Sequence, residues 1–370
     1  MSVVSQDEPP AVNPAGAAGG AKPWSPRSLG PRTTTHLGVV AVLYLFVLVV
    51  LPSIVGAWVV LGLIQVAIYA IVCLGLGLLV GRVGLVSLGQ AAVLAIGAWV
   101  GARLLFATGL PYEVVVLLTG LITMVIGTLV GLPALRLRGL YLALITLMLA
   151  GAITTVLATT NFPNGGGGFL GYSSNFFGHA PQIRRPGIAE SDPAFLRYSI
   201  VVAAVMFGLV IAHLRMRPGR AWAAIRQSEA AALAAGINTT AYKLWAFALA
   251  SFITGVAGAL LGPADRYLYS INFQTQDSIT LLAVVLMGGV YNIYGAIVAA
   301  LLLQLLPAIL NHVGVSIYWA DVLFGVGALQ VLTTAPAGIV DQLPKDLANL
   351  GRLVLRLFRR SAAPAGSAAE

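Results

Sequence analysis

The sequence predicts an all-α protein that crosses a membrane about ten times, with both termini on the cytoplasmic side. Three observations carry that fold class. Of 370 residues, 59% are hydrophobic and only 9% are charged, against roughly 25% charged in soluble domains. Apolar runs of about 20 residues recur along the chain, enough for a helix to cross ~30 Å of hydrocarbon. These runs are continuous rather than alternating, which excludes a membrane β-barrel. Finally, a ten-span layout with the N-terminus inside leaves only Arg103, Arg184, Arg185, Arg197 and Arg266 on outer segments, out of 21 Lys and Arg. An excess of positive charge on one side marks the cytoplasmic face. The net charge of +9 is explained in the same way and does not point to nucleic acid.

Taken in order, residues 1–35 are rich in Pro, Ala, Gly and Ser and carry Lys22, Arg27 and Arg32, which reads as a disordered basic cytoplasmic tail. A membrane domain follows over 36–340, with spans at 37–52, 57–80, 87–107, 112–131, 140–158, 196–214, 241–262, 273–290, 294–311 and 317–334. The run from Leu37 has no small-residue cleavage site and is followed at once by another run, so it is an uncleaved span. The run at 273–290 has the shortest apolar part and reads as broken or re-entrant. An external loop over 159–195 contains Asn164 and then Gly165 to Gly168. No Lys-Ser or Lys-Thr follows, so the glycines are not a phosphate-binding loop. Asn164, Gly165 and Gly166 are candidates for an external gate or a contact with an external partner; a plain flexible loop is the alternative.

A cytoplasmic loop over 214–241 holds or adjoins Arg215, Arg217, Arg220, Arg226 and Lys243, against one acid, Glu229. Ala, Arg, Gln and Glu favour a helix over Ala221–Ala235, and Gly236 stops it. The loop is either a docking surface for a cytoplasmic partner or a solvated basic connector. Residues 341–370 form a cytoplasmic tail. Leu347, Leu350, Val354 and Leu357 share one helical face there, with Lys345, Arg352, Arg356, Arg359 and Arg360 largely elsewhere. That pattern suits an amphipathic helix on the anionic lipid surface, followed by a disordered end.

The spans hold few charges. Glu113, Asp277 and Asp321 lie near outer span ends, and none reads as the midplane acid of a proton or sodium relay. This weakens a stand-alone secondary transporter or channel. No clustered polar groups indicate a membrane enzyme, so no catalytic residue is assigned. His36, His213 and His312 form no metal-spaced pair, and the single cysteine, Cys73, allows neither an internal disulfide nor a cysteine metal site. Uncharged polar residues within spans, among them Gln65, Ser87, Gln90, Thr119, Thr123, Thr146, Thr280 and Gln304, need hydrogen-bond partners in lipid. Gly-x-x-x-Gly pairs at Gly77/Gly81, Gly97/Gly101, Gly127/Gly131 and Gly258/Gly262 permit close helix approach. The stretch Gly84-Leu85-Val86-Ser87-Leu88-Gly89-Gln90 opens an apolar helix at membrane depth. Free N–H groups and a positive dipole end there could meet an anionic group, making Ser87, Gly89 and Gln90 candidates for a substrate path. Ser87 as a simple N-cap is the alternative.

The stretch GRVGLVSLGQAAVLAIGAWVGA (81–102) resembles the signature of ABC-transporter permeases for branched-chain amino acids, of the LivM type. The resemblance continues through 135–150, 220–238, 286–307 and 335–340, in the family's order, and covers about 37–340. It implies an ABC importer permease fold in a bacterial inner membrane. It also implies a cytoplasmic coupling helix of the pattern Glu-Ala-Ala, three residues, then Gly. Ala231, Ala232 and Gly236 keep that spacing; Ala230 stands where the Glu would be, with Glu229 one residue earlier, and Arg220, Arg226 and Glu229 can fix the helix's orientation. The implied partners are a second permease of the LivH type, two cytoplasmic ATPases of the LivG/LivF type that carry ATP and Mg²⁺, an extracytoplasmic binding protein, and membrane lipid. No cofactor and no nucleic acid are implied for this chain, and no chemistry of its own. Gln90 replaces the family's usual His, and Trp99 its usual Tyr, so a permease for urea or short amides is the alternative.

Overall fold

Every described element is helical. The computed structural model describes residues 56–134, 139–159, 183–268, 272–316, 318–334, 338–340 and 342, all within the unit Leu48–Glu370. The expected first span, the two tails, Asn164, Gly165 and Gly166 lie outside the described residues. In chain order the α-helices are α1 (Ala57–Gly77), α2 (Gln90–Ala107), α3 (Tyr112–Ala134), α4 (Leu140–Thr159), α5 (Asp192–Arg215), α6 (Arg217–Gln227), α7 (Glu229–Ala234), α8 (Thr239–Asp265), α9 (Thr275–Gly288), α10 (Gly295–His312) and α11 (Tyr318–Thr334). Among the described residues, six helices are long and apolar enough to cross a membrane: Ala57–Val83, Gln90–Ala107, Tyr112–Leu132, Asp192–Arg215, Thr239–Asp265 and Gly295–His312. The stretches Tyr141–Leu157 and Thr275–Gly288 are apolar but shorter. At 14 residues α9 is only about 21 Å long, which agrees with the short apolar run in the sequence. Helix α5 starts at Asp192, so the external loop ends earlier than residue 195. Ser191 caps this helix, its Oγ accepting from Ala194 N.

Helix α8 is the centre of the bundle, packed by α1, α2 and α3. Small residues make that crowding possible, since lipid supplies no hydrophobic drive between helices and close backbone contact must replace it. A Cβ on Gly97 would stand 2.8 Å from Gly255 Cα, and one on Gly101 would stand 3.0 Å from Ala259 Cα. On the other flank, Gly127 and Gly131 of α3 admit Ser251 and Phe247 of α8. Three of the four Gly-x-x-x-Gly pairs therefore contain a helix contact. Gly77 meets nothing within 4 Å, whereas Gly81 lies against the Val290 carbonyl.

The periphery is apolar and uncovered. Leu121, Val125 and Leu129 of α3, Val201 and Val205 of α5, and Val322, Val326 and Leu329 of α11 are all exposed, as residues facing hydrocarbon or another membrane helix must be. Tyr318 and Trp319, near Asp321, are exposed at the start of α11. Arg103, counted above among outer charges, is instead buried within α2. Arg185 fastens the approach to α5. It pairs with Asp192, donates to Pro263 O at 3.2 Å, and lies over the Phe195 ring at 4.9 Å.

Candidate functional site

The polar segment between α5 and α8 folds as two short helices, not one. A single helix over Ala221–Ala235 was expected. Instead α6 begins at Arg217, with Pro218 in its first turn, where a missing N–H costs nothing. The chain then breaks at Ser228, whose backbone is extended at φ −160° and ψ 117°. Ser228 Oγ accepts from Ala231 N at 3.2 Å and so caps α7, a role serine favours over a helix interior. Helix propensity summed over the window hides this choice. Gly236, at φ 78°, closes α7 as expected. Ile237 N donates to Ala232 O and Gly236 N to Leu233 O, the paired bonds of a Schellman motif.

The two helices are clamped from behind. On α6, Ala221, Trp222 and Ile225 are buried, and Trp222 Nε1 donates to Tyr242 O at 2.8 Å. Arg226 Nη1 donates to Gly81 O at 2.6 Å while its guanidinium lies 4.3 Å over the Tyr291 ring. On α7, Ala232 is buried and Glu229 Oε1 accepts from Lys243 Nζ at 2.8 Å. Arg226 and Glu229 thus fix the segment's orientation by bonds to the bundle, and Arg220 is exposed. The opposite side of the tip is exposed and mostly small: Ala230, Ala231, Ala234 and Ala235, with the larger Leu233 among them.

Arg226 touches a junction that gathers several signature pieces. The Val290 carbonyl, between α9 and α10, occupies the space a Cβ on Gly81 would need. Gly295 and Gly338 are pressed just as closely against Gly289. Any side chain at Gly81, Gly295 or Gly338 would force these segments apart.

The candidate path residues Ser87, Gly89 and Gln90 sit at the entry to α2, where the chain is held by contacts within the bundle. Helix α1 runs on as a π-helical turn, Leu78–Val83, and ends at Gly84 with φ 83°. The loop then enters α2, whose N-cap is Gly89 rather than Ser87. Ser87 is buried and its Oγ accepts from Gly89 N at 3.4 Å. Leu88 N donates to Thr146 Oγ1 of α4 at 2.9 Å. Buried Gln90 donates from Nε2 to Thr254 Oγ1 at 2.8 Å. Thr254 is about 22 Å along α8 from its start, so the start of α2 packs against the middle of that helix. Gln90 spends its amide on a helix–helix bond there.

A cavity of about 220 Å³ lies beside this helix start, between α1, α2, α9 and α10. Ala91 and Leu94 of α2 line it, but Ser87, Gly89 and Gln90 do not. Tyr69, Asp277, Thr280 and Gln304 face it. Sequence reading had marked Thr280 and Gln304 as polar groups within spans; it could not join them to Tyr69, more than 200 positions away. It also missed Asp265, the last residue of α8, whose Oδ1 accepts from Gln65 Nε2 of α1 at 2.5 Å.

Six long apolar helices around buried polar pairs, with a polar segment clamped to the bundle, describe a polytopic helical membrane protein. The chain belongs to the family described as branched-chain amino acid transport system / permease component, whose pattern matches residues 58–332. It is 34% identical over 262 residues to the high-affinity branched-chain amino acid transport system permease protein LivM of Salmonella typhimurium. To the LivM of Escherichia coli it is 33% identical, also over 262 residues. Each match covers 64% of this chain and 60% of the relative, so the chain spans under two thirds of the length of these curated relatives. No solved structure matches.

Proposed function

We propose that this chain is a membrane-spanning subunit of an ATP-driven ABC importer that moves branched-chain amino acids from an external binding protein into the cytoplasm. Family membership and the description of the LivM relatives as high-affinity branched-chain amino acid permeases support the substrate class. One structural observation carries the mechanism. The α6–α7 tip presents Ala230, Ala231, Leu233, Ala234 and Ala235 outward while Trp222, Arg226 and Glu229 tie its back to the bundle. Small exposed side chains on a fixed mount suit entry into a groove of an ATPase subunit. A push on that mount reaches α1 at Gly81 and the α9–α10 junction at Tyr291 through Arg226. ATP and Mg²⁺ act on the ATPases, and this chain supplies the path and the lever.

The reading includes ten spans with both termini cytoplasmic, a second permease of the LivH type, two LivG/LivF-type ATPases and an extracytoplasmic binding protein. The charge distribution supports the orientation. Asn164, Gly165 and Gly166 belong to the external loop that would meet the binding protein. Affinity capture of the tagged chain from solubilised native membranes, followed by mass spectrometry, tests the assembly. Recovery of two ATPases and a second permease is expected; recovery of the chain alone would count against the proposal.

A further inference from the structure

We infer that the 220 Å³ cavity between α1, α2, α9 and α10 is a transit site for a zwitterionic amino acid with an aliphatic side chain, its ammonium group held by Asp277. This deepens the importer reading and rests on it.

The volume is below the ~300–1,000 Å³ of pockets for drug-sized ligands, and it suits a metabolite of about ten heavy atoms. The walls divide by chemistry. Leu94, Phe273, Leu281 and Leu303 form an apolar lining, while Tyr69, Asn272, Thr280 and Gln304 add neutral hydrogen-bonding groups. Among the described residues, Asp277 is the one carboxylate on the lining, and no Lys, Arg or His accompanies it there. A cavity with one acid and no base favours a ligand that brings a cation. The apolar lining favours one that also brings a hydrocarbon group. Neutral donors, the Tyr69 hydroxyl and the Gln304 amide among them, remain for the ligand's carboxylate. Urea and simple amides have no cation for the acid.

Asp277 is positioned by its helix start. Its Oδ2 accepts from Gln274 N at 2.8 Å in a capping box that opens α9. That box uses one carboxylate oxygen for the cap and leaves the acid at the exposed rim, beside exposed Asn272. Tyr69 and Gln304 sit near the middle of α1 and α10, so the cavity runs from the rim toward the broken start of α2.

Two variants in the reconstituted full complex test this assignment. Asp277→Asn keeps an oxygen for the cap and removes the charge. The KM for ATP-driven leucine uptake is expected to rise about ten- to a hundred-fold, the range for losing a charge-assisted hydrogen bond, with ATPase activity intact. Asn272→Cys places a thiol at the rim. Cys73, this chain's one native cysteine, is fully buried, so polar thiol-reagent label measured on this chain's band, separated from its partners, reports the rim. Leucine is expected to slow labelling several-fold, and urea is expected to leave it unchanged. An unaltered leucine KM in Asp277→Asn, or labelling indifferent to leucine, in a complex that still imports leucine overturns the site and leaves the importer reading standing. A wild-type complex with no ATP-driven leucine import overturns the importer reading itself. If Asp277→Asn does not assemble, the labelling result decides.

Discussion

Trp222→Ala is the sharpest perturbation of the lever. Trp222 is fully buried and its indole N–H bonds to Tyr242 O at 2.8 Å, so it joins α6 to the first turn of α8. Truncating a core Trp to Ala costs about 3–5 kcal/mol, the lost hydrogen bond included. At about 1.4 kcal/mol per factor of ten, docking of α6 weakens some hundred- to thousand-fold. Global folding rests mainly on the packing of α8 with α1, α2 and α3, so the protein is expected to remain assembled with a loosened tip. Amide hydrogen exchange over residues 217–234 is expected to accelerate, and ATP-driven uptake to fall at unchanged ATPase activity. Trp222→Phe keeps most of the packing and loses only the hydrogen bond, about 1 kcal/mol, so its exchange lies close to wild type. If Trp222→Ala exchanges and transports like wild type, α6 is not held as described and the lever is wrong.

Four further outcomes follow from the packing. Glu229→Gln leaves Lys243 buried beside a neutral partner and is expected to destabilise by about 1–3 kcal/mol. Adding Lys243→Met is expected to recover much of that loss, and a thermal-melt double-mutant cycle reads the coupling. Gly97→Leu must push α2 off Gly255 and is expected to abolish monodisperse protein on size exclusion. Gly77→Ala, which meets nothing within 4 Å, is expected to melt close to wild type. Gln90→Leu strands the Thr254 hydroxyl in the bundle and is expected to cost about 1–3 kcal/mol, with Thr254→Val in the same chain restoring part of it.

The sequence made the helices legible because lipid selects continuous apolar runs, and these survive without knowledge of tertiary contacts. It also marked the segment between α5 and α8, since five cations and one acid stand out between apolar spans. The break at Ser228 was not legible: it depends on a cap bond to Ala231 that competes locally with a window rich in helix formers. Gln90 was marked as a path residue on its polarity and its place at the opening of a helix, and the structure shows it buried there. Its bond to Thr254, 164 positions away, was beyond reach of any local pattern. The cavity was hidden for the same reason, since Tyr69, Asp277 and Gln304 meet only once four helices are packed. Gly81, Gly295 and Gly338 are far apart in sequence, and only the fold reveals that each is a contact made by the absence of a side chain.

The most direct test of the account is leucine uptake into proteoliposomes that hold this chain with its second permease and two ATPases, supplied with the binding protein. The account predicts uptake that requires ATP, the binding protein and this chain together. Uptake by this chain alone, without ATP, would contradict it and identify a self-sufficient transporter.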